Sequence, residues 1–265
     1  MDLQEKVKRV QEFRLIDDVF FEVFAEDIPA CQEIIRTILE DQELIVHDVI
    51  VQSSRRNLYG RSVRLDALCS LGDGTKCNIE VQRSDRDDHL KRARFNASSI
   101  TVRESGPGER FEDILELYII YISEFDFLKG GLTTYHIDKV IRENGEIVDD
   151  GLHEIFVNTA VDDGSSTAGL MSCFTRKEVT NREFPAVSRR FQELKSEGGA
   201  GAVCEIMERY LKEAKQEGKV EAQKAERIRT IQNMLTKGFA KDVIRSLDYT
   251  EEEIGEAEEA LLTTV

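Results

Sequence analysis

Arg64-Leu65-Asp66-Ala67-Leu68-Cys69, a Gly72-Asp73-Gly74 turn, and Cys77-Asn78-Ile79-Glu80-Val81-Gln82 form the stretch on which the reading of this chain depends. Apolar and polar residues alternate in both arms, and the glycines between them accept positive φ, so the stretch predicts a β-hairpin. In the first arm Val63, Leu65, Ala67 and Cys69 share one face, and Arg64, Asp66 and Leu68 take the other. In the second arm Asn78, Glu80 and Gln82 share a face, with Ile79 and Val81 opposite.

Register decides whether the two acids meet. Asp66 and Glu80 lie seven residues either side of Asp73, so a hairpin centred there sets them directly opposite each other. Opposed residues have Cβ atoms about 4.5–5.5 Å apart and point to the same face. Both acids sit in runs apolar enough to be buried, and a buried unpaired acid is costly. A hard divalent cation such as Mg²⁺ between them relieves the repulsion. A two-residue Asp73-Gly74 turn would slip the register by one and send Glu80 to the other face. The metal reading therefore requires an odd-length loop or a bulge; the alternative is a solvated hairpin face carrying two unrelated acids.

An acid on one strand followed by acid-x-Lys on the next is the pattern of the PD-(D/E)-x-K nuclease superfamily, which this stretch resembles. It looks most like the nuclease-family transposases, or recombination-promoting nucleases, which carry Gln in place of Lys, here Glu80-Val81-Gln82. The resemblance runs over most of residues 14–195. It includes Asp17-Asp18-Val19-Phe20, Gly60-Arg61-Ser62-Val63-Arg64-Leu65-Asp66 and Lys91-Arg92-Ala93-Arg94. It implies an α/β (α+β), restriction-endonuclease-like core with a central mixed β-sheet flanked by helices. The implied activity is hydrolysis of phosphodiester bonds in double-stranded DNA by a cytoplasmic, Mg²⁺-dependent (or Mn²⁺-dependent) endonuclease. Asp66, Glu80 and Gln82 would be the catalytic residues, and Asp66, Glu80 and the Val81 carbonyl the metal ligands. Gln82 can orient water or phosphate by hydrogen bonds but cannot supply positive charge; a helix cation such as Arg92 would compensate. In the resembling family an acid on the first helix can approach the metal. Here the usual Lys after the Phe is Phe21, and Asp17, Asp18 and Glu22 read as a solvated acidic face.

Around this centre the periodicity predicts helices over 2–25 and 29–40, a strand over 44–51 and a polar loop over 53–60 that carries Arg55 and Arg56. A helix over 83–103 would bury Leu90, Ala93, Ala97 and Ile100. Its Lys91, Arg92 and Arg94 could contact phosphate, since Arg pairs oxyanions bidentately. They could equally form a basic face bridged to Asp85, Asp87 or Asp88; the resemblance favours phosphate contact for Arg92 or Arg94. Further strands are predicted over 115–123, 134–141 and 154–158, and helices over 165–174 and 184–194.

The glycine-rich stretch 196–202 reads as a linker. It divides a nuclease-like domain, 1–195, from a helical tail, 196–265, made of a charged helix and a short helix-turn-helix-like segment. The segment is too acidic to enter a DNA groove, so homo-oligomerisation or docking of a protein partner is the expectation for it. The net charge of −16 opposes DNA binding, which runs through Lys and Arg, although residues 246–259 alone carry seven acids. That balance, with Gln82, favours a rival reading, a catalytically degenerate nuclease fold acting as a protein-interaction module; the acid pair favours the enzyme. The five cysteines are widely spaced, without a zinc pattern, and read as buried thiols in a reducing cytoplasm. No apolar run is long enough to span a bilayer, the charged start has no signal-peptide core, and no phosphate-cradling glycine loop is present.

Overall fold

The structure, a computed structural model, describes residues 3–51, 65–85 and 88–262. The polar loop 53–60 with Arg55 and Arg56, the motif residues Gly60 to Arg64, and Asp87 lie outside them. Helices α1 (Leu3–Val10), α2 (Asp18–Phe24) and α3 (Ile28–Leu39) lead into strands β1 (Val46–Val51), β2 (Ala67–Leu71) and β3 (Lys76–Gln82). Next come α4 (His89–Glu104), β4 (Leu117–Ser123), β5 (Thr134–Ile137), a small arm of β6 (Lys139–Val140) and β7 (Ile147–Val148), and β8 (Leu152–Asn158). The chain ends in α5 (Ser166–Thr175), α6 (Pro185–Lys195), the long α7 (Ala200–Thr236), α8 (Lys241–Arg245) and α9 (Glu251–Leu262).

The turn between β2 and β3 sets the rest. Leu71 N–H donates to Thr75 O at 2.8 Å, closing an odd loop of Gly72, Asp73 and Gly74. Gly74 has φ 94°, the left-handed position that ends such loops. Ala67 pairs with Ile79 and Cys69 with Cys77, a register centred on Asp73. These strands belong to a six-stranded sheet of order β1-β2-β3-β4-β8-β5. β1, β2 and β3 run antiparallel, β3-β4 and β4-β8 are parallel, and β5 returns antiparallel on β8. A parallel β3-β4 step needs a crossover, and α4 supplies it. On one face α4 packs Ala93, Ala97 and Ile100 against Leu68, Ile119, Tyr121 and Phe156. The other face carries Cys69, Cys77, Ile79, Val81, Ile120 and Ile122, all buried, with α2 against β3 and α3 against β1. The mixed sheet flanked by helices is the architecture the motif implied.

Several boundaries differ from the sequence periodicity, each for a local reason. The single helix over 2–25 is two, because Arg14 N–H donates to the Asp17 carboxylate (2.6 Å) and Ile16 N–H to Phe174 O (3.2 Å). Those donors are therefore lost to a helical ladder. α4 begins at His89, capped by Asp88, whose carboxylate accepts from Lys91 N–H at 3.0 Å. That start turns His89 inward and leaves Leu90 exposed, against the predicted stripe. Leu65 packs in the cluster of Leu68 and Ala93, so the alternation of the first arm stops at Ala67.

The chain divides into two compact units, 1–206 and 207–265. The division falls inside α7 rather than at the glycine-rich stretch. A Cβ on Gly199 would come within 2.2 Å of Glu193 O, so that glycine allows close backbone packing. Beyond it Ala200, Val203 and Cys204 are buried. In the second unit Ile231, Ile244, Ile254 and Ala257 form a small core. Arg227 donates to both carboxylate oxygens of Glu253 from Nε and Nη2, and Lys224 and Lys241 each pair with a glutamate of α9, Glu256 and Glu258, at 2.6 Å.

Two outcomes follow for stability. Gly74→Ala should lower stability by about 1–2 kcal/mol through left-handed strain alone, since no atom lies within 4 Å of the added Cβ; a urea titration measures it. We propose that the first unit folds on its own: truncation after residue 206 should retain a cooperative calorimetric transition. Truncation after 195, which strips Ala200, Val203 and Cys204, should cost about 3–5 kcal/mol.

Candidate active site

In the ladder set by the turn, Val81 N–H would next meet the Leu65 carbonyl. It donates instead to Asp66 Oδ2 at 2.9 Å, while Asp66 N–H donates to Glu80 Oε1 at 3.4 Å. The Asp66 carboxylate replaces a main-chain acceptor, β2 stops at Ala67, and the two acids are left in each other's first contact. Asp66 is 8% exposed and Glu80 fully buried. Burial pushes both carboxyls upward in pKa, Asp66 strongly; the Glu80 charge raises Asp66 further, and Arg92 opposes the shift in both.

Glu80 is only half satisfied. Its Oε1 also accepts from Asn78 Nδ2 at 3.1 Å, but Oε2 has no hydrogen-bond partner among the described residues. The guanidinium of Arg92 stands 3.6 Å from Oε2, beyond hydrogen-bonding distance. A buried carboxylate oxygen without a donor, beside a second buried carboxylate, is chemically suited to a hard cation. Asp66 and Glu80 therefore fit a divalent metal. Val81 enters the site through its N–H, the bond to Asp66 just described.

α4 brings one cation of the predicted three to this point. Arg92 Nη1 donates to Gln82 Oε1 at 3.1 Å, and Gln82 Nε2 donates to Ser84 O at 2.8 Å. Lys91 is exposed and pairs with Asp88 at 2.7 Å; Arg94 is exposed, and its charge acts on Glu154 of β8. Helical geometry separates them, since neighbours at one and two residues do not share a face.

The acids of α2 are not a solvated face. Asp17 and Glu22 are buried, Glu22 at 4% exposure, and only Asp18 is open, its charge raising the pKa of Asp66. The cause is the packing of α2 on β3, which turns that helix face toward the sheet. Asp17 binds Arg83 at the end of β3, and Arg83 and Arg14 both reach Glu124 at the end of β4. Asn78, His89 and Tyr121 also escaped the sequence reading. Tyr121 is the β4 neighbour of Glu80, and its hydroxyl lies 2.9 Å from His89 Nδ1. Asn78 was legible as two residues from Glu80 on one face, whereas His89 depends on where α4 starts.

Among the described residues one other group could hold a metal: Glu116, Asp149 and His153, with ligand atoms within 4.8 Å of one another. It lies where β4 and β8 begin, at the opposite end of the sheet from Glu80 and Gln82. Its histidine, His153, belongs to β8.

A mixed sheet whose β-hairpin ends in two contacting buried acids, followed by a helix that returns a cation to them, defines a nuclease-type α/β protein. The chain belongs to the PD-(D/E)XK nuclease family transposases, whose family model matches residues 14–160. Comparison with curated proteins and with solved structures gives no match. Membership suggests nuclease-type function and DNA binding, and PD-(D/E)XK nucleases generally use divalent metals. No helix among the described residues is long and apolar enough to cross a membrane.

Because both carboxyls have raised folded-state pKa values, their contribution to stability is full below the unfolded carboxylate range and is lost as pH rises through the folded values. Asp66→Asn removes one charge and keeps an acceptor for Val81 N–H. In EDTA it should therefore raise Tm by about 2–4 °C at pH 8, the size of shift expected for a ~1 kcal/mol gain, and by less at pH 5. With Mg²⁺ the order should reverse, because the wild type alone gains binding free energy. Thermal melts of both proteins at the two pH values check the signs.

Proposed function

We propose that the protein is a divalent-metal-dependent DNA endonuclease of the transposase or recombination-promoting type, acting in the cytoplasm on double-stranded DNA. The observation that carries this reading is the fully buried Glu80 carboxylate, with one oxygen lacking a hydrogen-bond donor among the described residues, in contact with buried Asp66. Asp66, Glu80 and the Val81 carbonyl would hold Mg²⁺ or Mn²⁺. Bound there, the ion supplies an activated water and offsets charge on the scissile phosphate.

The remaining work belongs to the chain itself. Val81 N–H keeps Asp66 turned to the site, and Asn78 orients Glu80. Gln82 and Arg92 face the same point from β3 and α4. Arg92 would meet the phosphate under attack, and Lys91 and Arg94, exposed on other faces of α4, would meet flanking phosphates. For the second unit the exposed side chains of Phe239, Val243 and Leu247 support a role in self-association or partner docking.

On duplex DNA with Mg²⁺ or Mn²⁺, the wild type should cleave and Asp66→Ala should fall to background. Cleavage that survives EDTA, or an undiminished Asp66→Ala, would sink this reading; so would the absence of any cleavage by the wild type.

A further inference from the structure

The orientation of the Gln82 amide is fixed by chemistry. A guanidinium only donates, so the atom facing Arg92 Nη1 at 3.1 Å must be the amide oxygen. A carbonyl only accepts, so the atom facing Ser84 O at 2.8 Å must be the amide nitrogen. Gln82 is thus a clamp with one end on the main chain and the other on Arg92. The Arg92 side chain is 33% exposed, and its second terminal nitrogen lies 3.6 Å from Glu80 Oε2. A long side chain on a helix surface has many rotamers, and an acceptor at its tip restricts them. A Lys in place of Gln82 would set a second donor and a second charge against that guanidinium.

We propose that Gln82 is a positioning residue. Its Oε1 holds the Arg92 guanidinium against the acid pair, and Arg92 delivers from α4 the positive charge that the reaction needs on the phosphate. This rests on the nuclease reading and deepens it, since the work assigned to Gln82 passes through Arg92. The pair also explains why an amide suits this position. Only an acceptor can hold Arg92, and a neutral acceptor adds no third charge to the two carboxylates beside it.

The test is a double-mutant cycle on the full chain with Gln82→Ala, Arg92→Ala and the double variant, together with Gln82→Lys. Two readouts are taken: kcat and KM on duplex DNA with Mg²⁺, and the thermal midpoint in EDTA. Arg92→Ala should lower kcat about a hundredfold, as loss of a donor to transition-state charge does, with KM changed much less. Gln82→Ala should lower kcat in the wild-type background and have no further effect beside Arg92→Ala. Gln82→Lys should fall with Gln82→Ala. In EDTA the two alanine substitutions should likewise be non-additive in their effect on the midpoint. Equal effects of Gln82→Ala with and without Arg92, or wild-type cleavage by Gln82→Lys, would overturn the proposal. If the wild type does not cleave at all, the nuclease reading fails on its own. The EDTA melts then still decide the clamp, and additive shifts there reject it.

Discussion

Two carboxylates buried against each other are the constraint on which the first unit depends. Removing one charge from water is costly, and placing a like charge beside it compounds the cost. Asp66 and Glu80 are held in that position by two main-chain N–H donors and one side-chain amide. Val81 N–H fixes Asp66, Asp66 N–H and Asn78 fix one oxygen of Glu80, and the other oxygen is left facing a guanidinium. The Glu80 charge raises the pKa of Asp66, and the Arg92 charge opposes that rise. Around it the fold repeats the same logic. The odd loop at Gly74 sets the register, the parallel step from β3 to β4 requires α4, and α4 returns Arg92 to the acids one strand away.

Net charge is a poor guide to the field at this site. At physiological salt, exposed charges are screened beyond about 8 Å, so the groups in contact decide. Many of the acids of the second unit are already answered, Glu253 by Arg227, Glu256 by Lys224 and Glu258 by Lys241. Near the site Asp17 and Glu124 share Arg83 and Arg14 in one network that ties α2 to the ends of β3 and β4. Beside Glu80 stands Arg92, which donates to the neutral Gln82 amide. The overall balance of −16 thus coexists with a cation beside the buried acid pair.

Legibility in the sequence followed the range of the interaction. The hairpin and its centre at Asp73 rest on period two and one turn, and the ladder register agrees with both; beyond the ladder, Asp66 N–H donates to the Glu80 carboxylate. The long apolar run of β4 and the caps of α3 and α4 are local in the same sense. Where a donor was satisfied by a distant acceptor, the reading failed. Ile16 N–H bonds to Phe174 O, far along the chain, and breaks the first helix in a stretch whose apolar spacing is helical. The acids of α2 look solvated until the helix is laid on β3.

The sequence alone therefore determined the hairpin and the placing of its two acids, because alternation and turn length are properties of neighbouring residues, and its resemblance to a known family implied the mixed sheet. Only the tertiary structure decided which cation of α4 stands beside them. Lys91, Arg92 and Arg94 are equivalent in a string of letters, but α4 has one angular setting on the sheet. That setting, fixed by burial of Ala93, Ala97 and Ile100, turns Arg92 alone of the three toward Gln82 and Glu80. The boundary of the units was decided the same way. Glycines at 198 and 199 signal a flexible joint in sequence, yet at Gly199 the missing side chain lets two backbones touch, and α7 starts inside the first unit. Glycine permits both outcomes, and what packs against it selects one.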